Sequence, residues 1–158
     1  IRPHQVTLVP DPPESVTSSF GWDCKKNENF LEKIVKKFQE KKIRVSLFIN
    51  PSTEHLSFLK NIMPDRVELY TYDYADIFMN NKELAIKPYM EVEKFLHDNF
   101  PSIEINAGHD LNLNNLSYFL LKITSIKEVS IGHAIICDTF EYGLKKTLEK
   151  YLKIIKEK

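Results

Sequence analysis

The chain has 158 residues, 42% of them hydrophobic and 28% charged, with 22 basic side chains balancing 22 acidic ones to a formal net charge of zero. That is the profile of one globular domain over residues 1–158, with enough apolar residues for a real core. The neutral balance lacks the electrostatic footprint of a nucleic-acid or anionic-membrane binder, and no apolar run approaches the ~18 residues of a membrane span.

No secretory leader is visible, so none is expected. The chain opens on Ile1-Arg2-Pro3-His4, without a methionine, and is almost at once inside that strand. Cys24 and Cys137 lie far apart and follow no metal-ligand spacing, so a reduced, cytoplasmic setting with two free thiols is expected.

The first predicted strand is Val6-Thr7-Leu8-Val9, stopped by Pro10. Pro12 and Pro13 hold the following loop extended, because each fixes its own φ and restricts the residue before it. After Asp23, a candidate N-cap, Phe30, Leu31, Ile34, Val35 and Phe38 recur at helical spacing as far as Lys42. Polarity then switches to period two. Ile43, Val45, Leu47 and Ile49 alternate with Arg44, Ser46, Phe48 and Asn50, a strand pattern.

Pro51-Ser52-Thr53-Glu54 opens a short helix carrying Leu56, Leu59 and Ile62. The third strand is Val67 to Tyr72, followed by a polar connection from Asp73 to Lys82 and a helix over about Glu83 to Asn99. Ile103-Glu104-Ile105-Asn106 alternates as a fourth strand, Asn112 or Asn114 can cap a helix beginning near Leu116, and Glu128 to Ile131 reads as a fifth strand. Ala134-Ile135-Ile136 reads as a short helix. In the amphipathic tail Leu144, Leu148, Tyr151, Leu152 and Ile155 form one stripe, with six lysines elsewhere.

Five strands alternating with helices imply parallel pairing and βα crossovers. Two architectures satisfy that pattern: a complete five-stranded doubly wound sheet, or five consecutive units of an eight-unit barrel. In either, ligands bind at the carboxyl ends of the strands. The polar residues that the pattern delivers there are the site candidates.

Asn106-Ala107-Gly108-His109 carries a histidine just past the fourth strand, where it can act as a general acid near neutrality or be an ordinary polar loop residue. A second junction, Ile131-Gly132-His133, repeats the arrangement one unit later. Backbone N–H groups there would make an anion seat, or Gly132 merely eases the turn. Glu68 lies mid-strand between Val67 and Leu69 on the opposite face. A buried carboxylate there is costly unless paired or used, which makes Glu68 a candidate acid/base or electrostatic group, whereas an edge position would let it reach solvent. Thr17 offers a loop hydroxyl that can donate to a phosphate or simply be solvated.

Taken in order, these segments resemble the bacterial pyridoxine 5′-phosphate synthases of vitamin B6 biosynthesis. Arg2-Pro3-His4 with Leu8-Val9-Pro10 and Val16-Thr17 is similar to that family's fourth-strand segment, and Arg44 to Ile49 to its fifth strand. Val67-Glu68-Leu69 with Thr71 and Tyr74-Ala75 resembles the sixth. Asn106 to His109 resembles the seventh, and Glu128 to Ile136 the eighth, with Gly143-Leu144-Lys145 in the final helix.

The resemblance implies a TIM (β/α)8 barrel of which this chain supplies strands 4–8. The family's enzyme condenses 1-deoxy-D-xylulose 5-phosphate with 3-amino-2-oxopropyl phosphate to pyridoxine 5′-phosphate, phosphate and water. It needs no metal or organic cofactor, is cytoplasmic and forms homo-oligomers. Carried across, Thr17 contacts the deoxyxylulose phosphate, Glu68 stabilises charge during ring closure, His109 donates a proton, and Gly132-His133 bind the aminoketone phosphate.

This sequence departs from the family pattern in several places. The first three strands, with an Asn-x-Asp-His segment, a histidine and a glutamate base, have no counterpart here. Asp110 stands where a glycine is usual, Tyr70 where a histidine is common, and Asp138 where a basic residue is common. Ser18-Ser19-Phe20-Gly21 replaces a more glycine-rich loop start. Two other readings follow from the departures: a non-catalytic barrel remnant serving assembly or regulation, and a self-sufficient phosphate-binding α/β domain.

Overall fold

The computed structural model describes residues 1–157. Five parallel strands, β1 (Gln5–Leu8), β2 (Arg44–Ile49), β3 (Arg66–Tyr70), β4 (Glu104–Gly108) and β5 (Ile126–Ser130), form one sheet in the order β1-β2-β3-β4-β5. Between and after them run α1 (Glu28–Gln39), α2 (Leu59–Ile62), α3 (Tyr72–Phe78), α4 (Lys82–Asn99), α5 (Leu116–Lys122), α6 (His133–Tyr142) and α7 (Leu144–Lys156). A 3-10 turn, Leu56–Phe58, leads into α2.

The strand order discriminates between the two architectures. A doubly wound sheet reverses its strand order at a switch point. Here every crossover advances one strand in the same direction, and with right-handed crossovers all helices fall on one face. The result is an α/β fold consistent with a partial TIM barrel.

Curvature argues the same way. In a flat sheet β1 and β5 would lie about 19 Å apart, four strand spacings. Yet the Gln5 side-chain amide of β1 donates to the Glu128 carboxylate of β5 at 3.1 Å. The sheet curls until the inward side chains of its two outer strands touch.

Period two then sorts each strand into an outer and an inner face. Val45, Leu47, Val67, Leu69, Ile105 and Ala107 are buried under the helices. Their alternates point inward, where a polar network fills the amino-terminal end. Arg66 pairs with Glu104 at 2.6 Å and with Glu128 at 2.5 Å, and Arg44 reaches Glu128 at 3.0 Å.

Burying the Arg66 guanidinium is tolerable because it is paired and hydrogen-bonded, including to the Asn106 side-chain carbonyl at 3.3 Å. Burial alone would raise the Glu128 carboxyl, but Arg66 overrides it and holds the group below the usual range.

Several elements differ from the sequence expectation. The connection from Asp73 to Lys82 is mostly helix, because Tyr74 and Phe78, four residues apart, plunge into an aromatic cluster with Tyr89 and Phe119. Asp23 does not cap α1. Its carboxylate accepts from the N–H groups of Lys25 and Lys26, each at 3.0 Å, and organises a turn that precedes the helix.

The helix after Gly132 runs ten residues rather than one turn. In the tail, Tyr151 enters the core and its hydroxyl donates to Asp138 at 2.7 Å, while Leu144, Leu148, Leu152 and Ile155 stay exposed. Among the described residues no helix is long and apolar enough to cross a membrane.

Candidate functional site

The carboxyl ends of the strands open onto a cavity of about 820 Å³ whose lining includes Thr17, Glu68, His109, Gly132 and His133. These five residues come from four separate segments, and the fold brings all of them to one place.

Glu68 stands on the inner face of β3, only 7% exposed. Thr7 of β1 donates to its carboxylate at 3.2 Å. Gly108 of β4 makes the space, since a Cβ there would come within 2.5 Å of Glu68 Oε1 and 3.0 Å of Ser130 Cβ. Burial pushes the Glu68 carboxyl up from its ordinary value, and hydrogen bonds from Thr7 and Ser130 only partly offset it. A carboxyl so placed can hold or release a proton at the cavity wall.

His109 sits one residue past β4 with φ at 90°, followed by Asp110 at 57°. Thr71 pins this turn. Its amide and hydroxyl donate to the Gly108 carbonyl at 3.0 and 2.8 Å, and its hydroxyl also donates to the His109 carbonyl. The imidazole lies between two groups, Asp110 against Nδ1 and Thr17 Oγ1 at 2.9 Å from Nε2. Tyr70 meets the ring edge-on with centroids 4.9 Å apart.

The Tyr70 hydroxyl donates to the Ser18 carbonyl at 3.2 Å, tying the loop that carries Thr17 to β3. Burial, then the carboxylates of Asp110 and Asp73, raise the Tyr70 phenol, so it stays protonated and able to donate. Gly21 completes the anchoring of that loop. Its N–H donates to the Asn50 side chain at 2.8 Å, and its Cα lies so close to β2 that a Cβ would come within 2.3 Å of the Asn50 nitrogen.

Gly132 ends β5's extension and caps α6, and an added Cβ there would meet nothing within 4 Å. The first-turn N–H groups of α6 have no intrahelical acceptor and carry the positive end of the helix dipole. With His133 at the first helical position, this corner can seat an anion without a cluster of cationic side chains. Cys137, one turn along α6, is an exposed free thiol on the same cavity, while Cys24 is buried and its thiol is pushed up to about 11 by burial and then by Asp23.

Sequence reasoning missed Thr7, Tyr70 and Ser130 as members of this site. The period-two pattern held the signal, since Thr7 alternates with Val6 and Leu8 as Glu68 does with Val67 and Leu69. The contact of Asp110 with its neighbour's ring had no such signal, because it depends on two consecutive left-handed residues.

Comparison with known proteins gives one family. The model described as pyridoxal phosphate biosynthesis protein PdxJ matches residues 1–157. The pyridoxine 5′-phosphate synthase of Cytophaga hutchinsonii is 46% identical over 157 residues, covering 99% of this chain and 65% of that protein. Those of Phocaeicola vulgatus and Bacteroides thetaiotaomicron are each 44% identical over 151 residues, covering 96% of this chain and 63% of theirs. The chain thus spans just under two thirds of the length of these curated relatives.

Proposed function

Because the chain belongs to the PdxJ family of pyridoxal phosphate biosynthesis proteins, we propose that it supplies strands 4–8 of a (β/α)8 barrel with pyridoxine 5′-phosphate synthase activity. The reaction condenses 1-deoxy-D-xylulose 5-phosphate with 3-amino-2-oxopropyl phosphate to pyridoxine 5′-phosphate, phosphate and water. The enzyme works in the cytoplasm as a homo-oligomer. The observation that carries this reading is the convergence of Thr17, Glu68, His109, Gly132 and His133 on one cavity at the strand ends.

Each residue type suits its step. Imine formation and the dehydrations that follow need protons delivered to departing oxygens, and His109 is the donor, with Nε2 toward the cavity side at Thr17. Glu68, buried and with its carboxyl raised, faces the charge that develops as the ring closes. The phosphate of the aminoketone sits on the first turn of α6 at Gly132 and His133, and the Thr17 hydroxyl donates to the phosphate of the other substrate. Asp110 takes no phosphate, since a carboxylate beside it would repel the anion and this one already faces His109.

The test is direct. The complete barrel incubated with both phosphorylated substrates should form pyridoxine 5′-phosphate, and His109→Ala in it should abolish turnover while leaving the fold intact. A folded protein carrying the complete barrel that makes no product would overturn the proposal.

A further inference from the structure

The geometry points to Asp110 as the positioning residue that fixes which nitrogen of His109 exchanges protons with the cavity, through the carboxylate–imidazole contact at Nδ1. The kinetic consequence rests on the synthase reading above. The assignment of the nitrogen does not.

Side chains of adjacent residues rarely meet, because an extended chain sends them to opposite faces. Here β4 ends at Gly108 and the next two residues take φ of 90° and 57°, both left-handed. That double turn folds the Asp110 side chain back onto its neighbour's ring. Left-handed backbone is uncommon outside glycine, and aspartate is among the residues that tolerate it. The loop is fixed from the other side as well. The Asp110 carbonyl accepts from the side-chain amides of Asn115 at 3.1 Å and Asn112 at 3.4 Å.

An ionised carboxylate can only accept, so the hydrogen between the two groups belongs to Nδ1. That commits the ring. In its neutral form the lone pair is on Nε2, and in its cationic form the exchangeable proton is there too. Thr17 Oγ1 stands 2.9 Å from Nε2 and can donate to it or accept from it by rotating its hydroxyl. Nε2 can therefore give up and regain a proton without the ring turning. Tyr70 edge-on to the imidazole, and Thr71 holding the His109 carbonyl, restrict the ring and its backbone in that pose. Without the carboxylate nothing in the structure selects Nδ1–H, and the ring is free to take the Nε2–H tautomer that neutral imidazole side chains prefer in water.

The test uses 15N-labelled protein and long-range proton–nitrogen correlation of the imidazole, which separates the two neutral tautomers. Asp110→Gly removes the carboxylate at a position whose φ suits glycine, and Asp110→Asn replaces it with an amide that can donate to Nδ1 as well as accept from it. The parent should show His109 as Nδ1–H, and Asp110→Gly and Asp110→Asn should both show the Nε2–H form gaining, because neither holds an acceptor-only group at Nδ1.

In synthase turnover, kcat should fall about tenfold or more in Asp110→Asn with KM changed less than about twofold. Unchanged Nδ1–H in Asp110→Gly would overturn the assignment. A tautomer switch with unchanged kcat would overturn the kinetic role. A switch in a protein that makes no product would leave the assignment standing and sink the synthase reading instead.

Discussion

Thr7 and Glu68 are hydrogen-bonded at 3.2 Å although β2 lies between their strands. In a barrel, inward side chains of alternate strands share a layer, and Thr7, Glu68 and Ser130 on β1, β3 and β5 do so here. The layer has a polar character that a packed barrel centre lacks, and it lies directly beneath the cavity.

That layer sets a pH dependence. The Glu68 carboxyl is raised above its unfolded value near 4.5, first by burial. Between the unfolded and folded values the folded chain keeps a proton that the unfolded chain has lost. Stability therefore falls as pH rises through that window, and the loss is complete above the folded value. Glu68→Gln, which imitates the protonated acid, should melt higher than the parent at pH 7–8 and show no advantage at pH 4. A difference in melting temperature that stays flat between pH 4 and 8 would refute the burial account.

Gly108→Ala tests the space beneath the carboxylate. The new Cβ would lie 2.5 Å from Glu68 Oε1, so the glutamate must swing away and lose Thr7. The expected cost is about 1–3 kcal/mol, typical of overpacking. In a Glu68→Ala background the same change should cost less by roughly 1 kcal/mol, the coupling expected of touching residues. Denaturant unfolding of the four variants measures this, and additive effects would place the strain elsewhere.

The sequence carried the architecture well because its signals were local. Alternation at Val45, Leu47 and Ile49 defines a strand in isolation, and strand-helix alternation implies parallel pairing without any tertiary knowledge. The α3 helix was hidden because Asp73, Asp76 and the Asn80-Asn81 pair make its segment read as polar, while its two anchors, Tyr74 and Phe78, find their partners on α4 and α5.

At the site, Glu68, His109 and Gly132 were legible as residues out of place for their element. Thr7 and Tyr70 were not, since each is an ordinary strand residue until curvature brings β1 against β3 and a loop against β3.

The outer strands and the last two helices predict association. Among the described residues β1 and β5 stand at the two ends of the strand order, and Ile136, Phe140, Leu144, Leu148 and Leu152 are exposed along α6 and α7, Phe140 at 89%. Open sheet edges and exposed apolar side chains both recruit partners. The 158-residue chain alone should sediment as more than a monomer at micromolar concentration, with an unfolding temperature that depends on concentration. Phe140→Glu should reduce the associated fraction. A proven monomer with a sharp, concentration-independent transition would contradict this.

Gly132 offers the cleanest separation of binding from folding. An added Cβ there meets nothing within 4 Å, and φ of −109° is open to any residue, so Gly132→Val should fold as the parent does. An anion on the first turn of α6 would need that same space to approach the backbone N–H groups. The valine methyls would hold it off, at a cost of about 1.5–3 kcal/mol in binding, the range for charge-assisted hydrogen bonds. His133→Ala should cost less, because the backbone donors remain oriented by the helix. Calorimetric titration of the complete barrel with an aminoketone phosphate analogue compares the two variants with the parent. Parent-like affinity in Gly132→Val, with an unchanged melting temperature, would mean that the phosphate is held by other groups of the cavity.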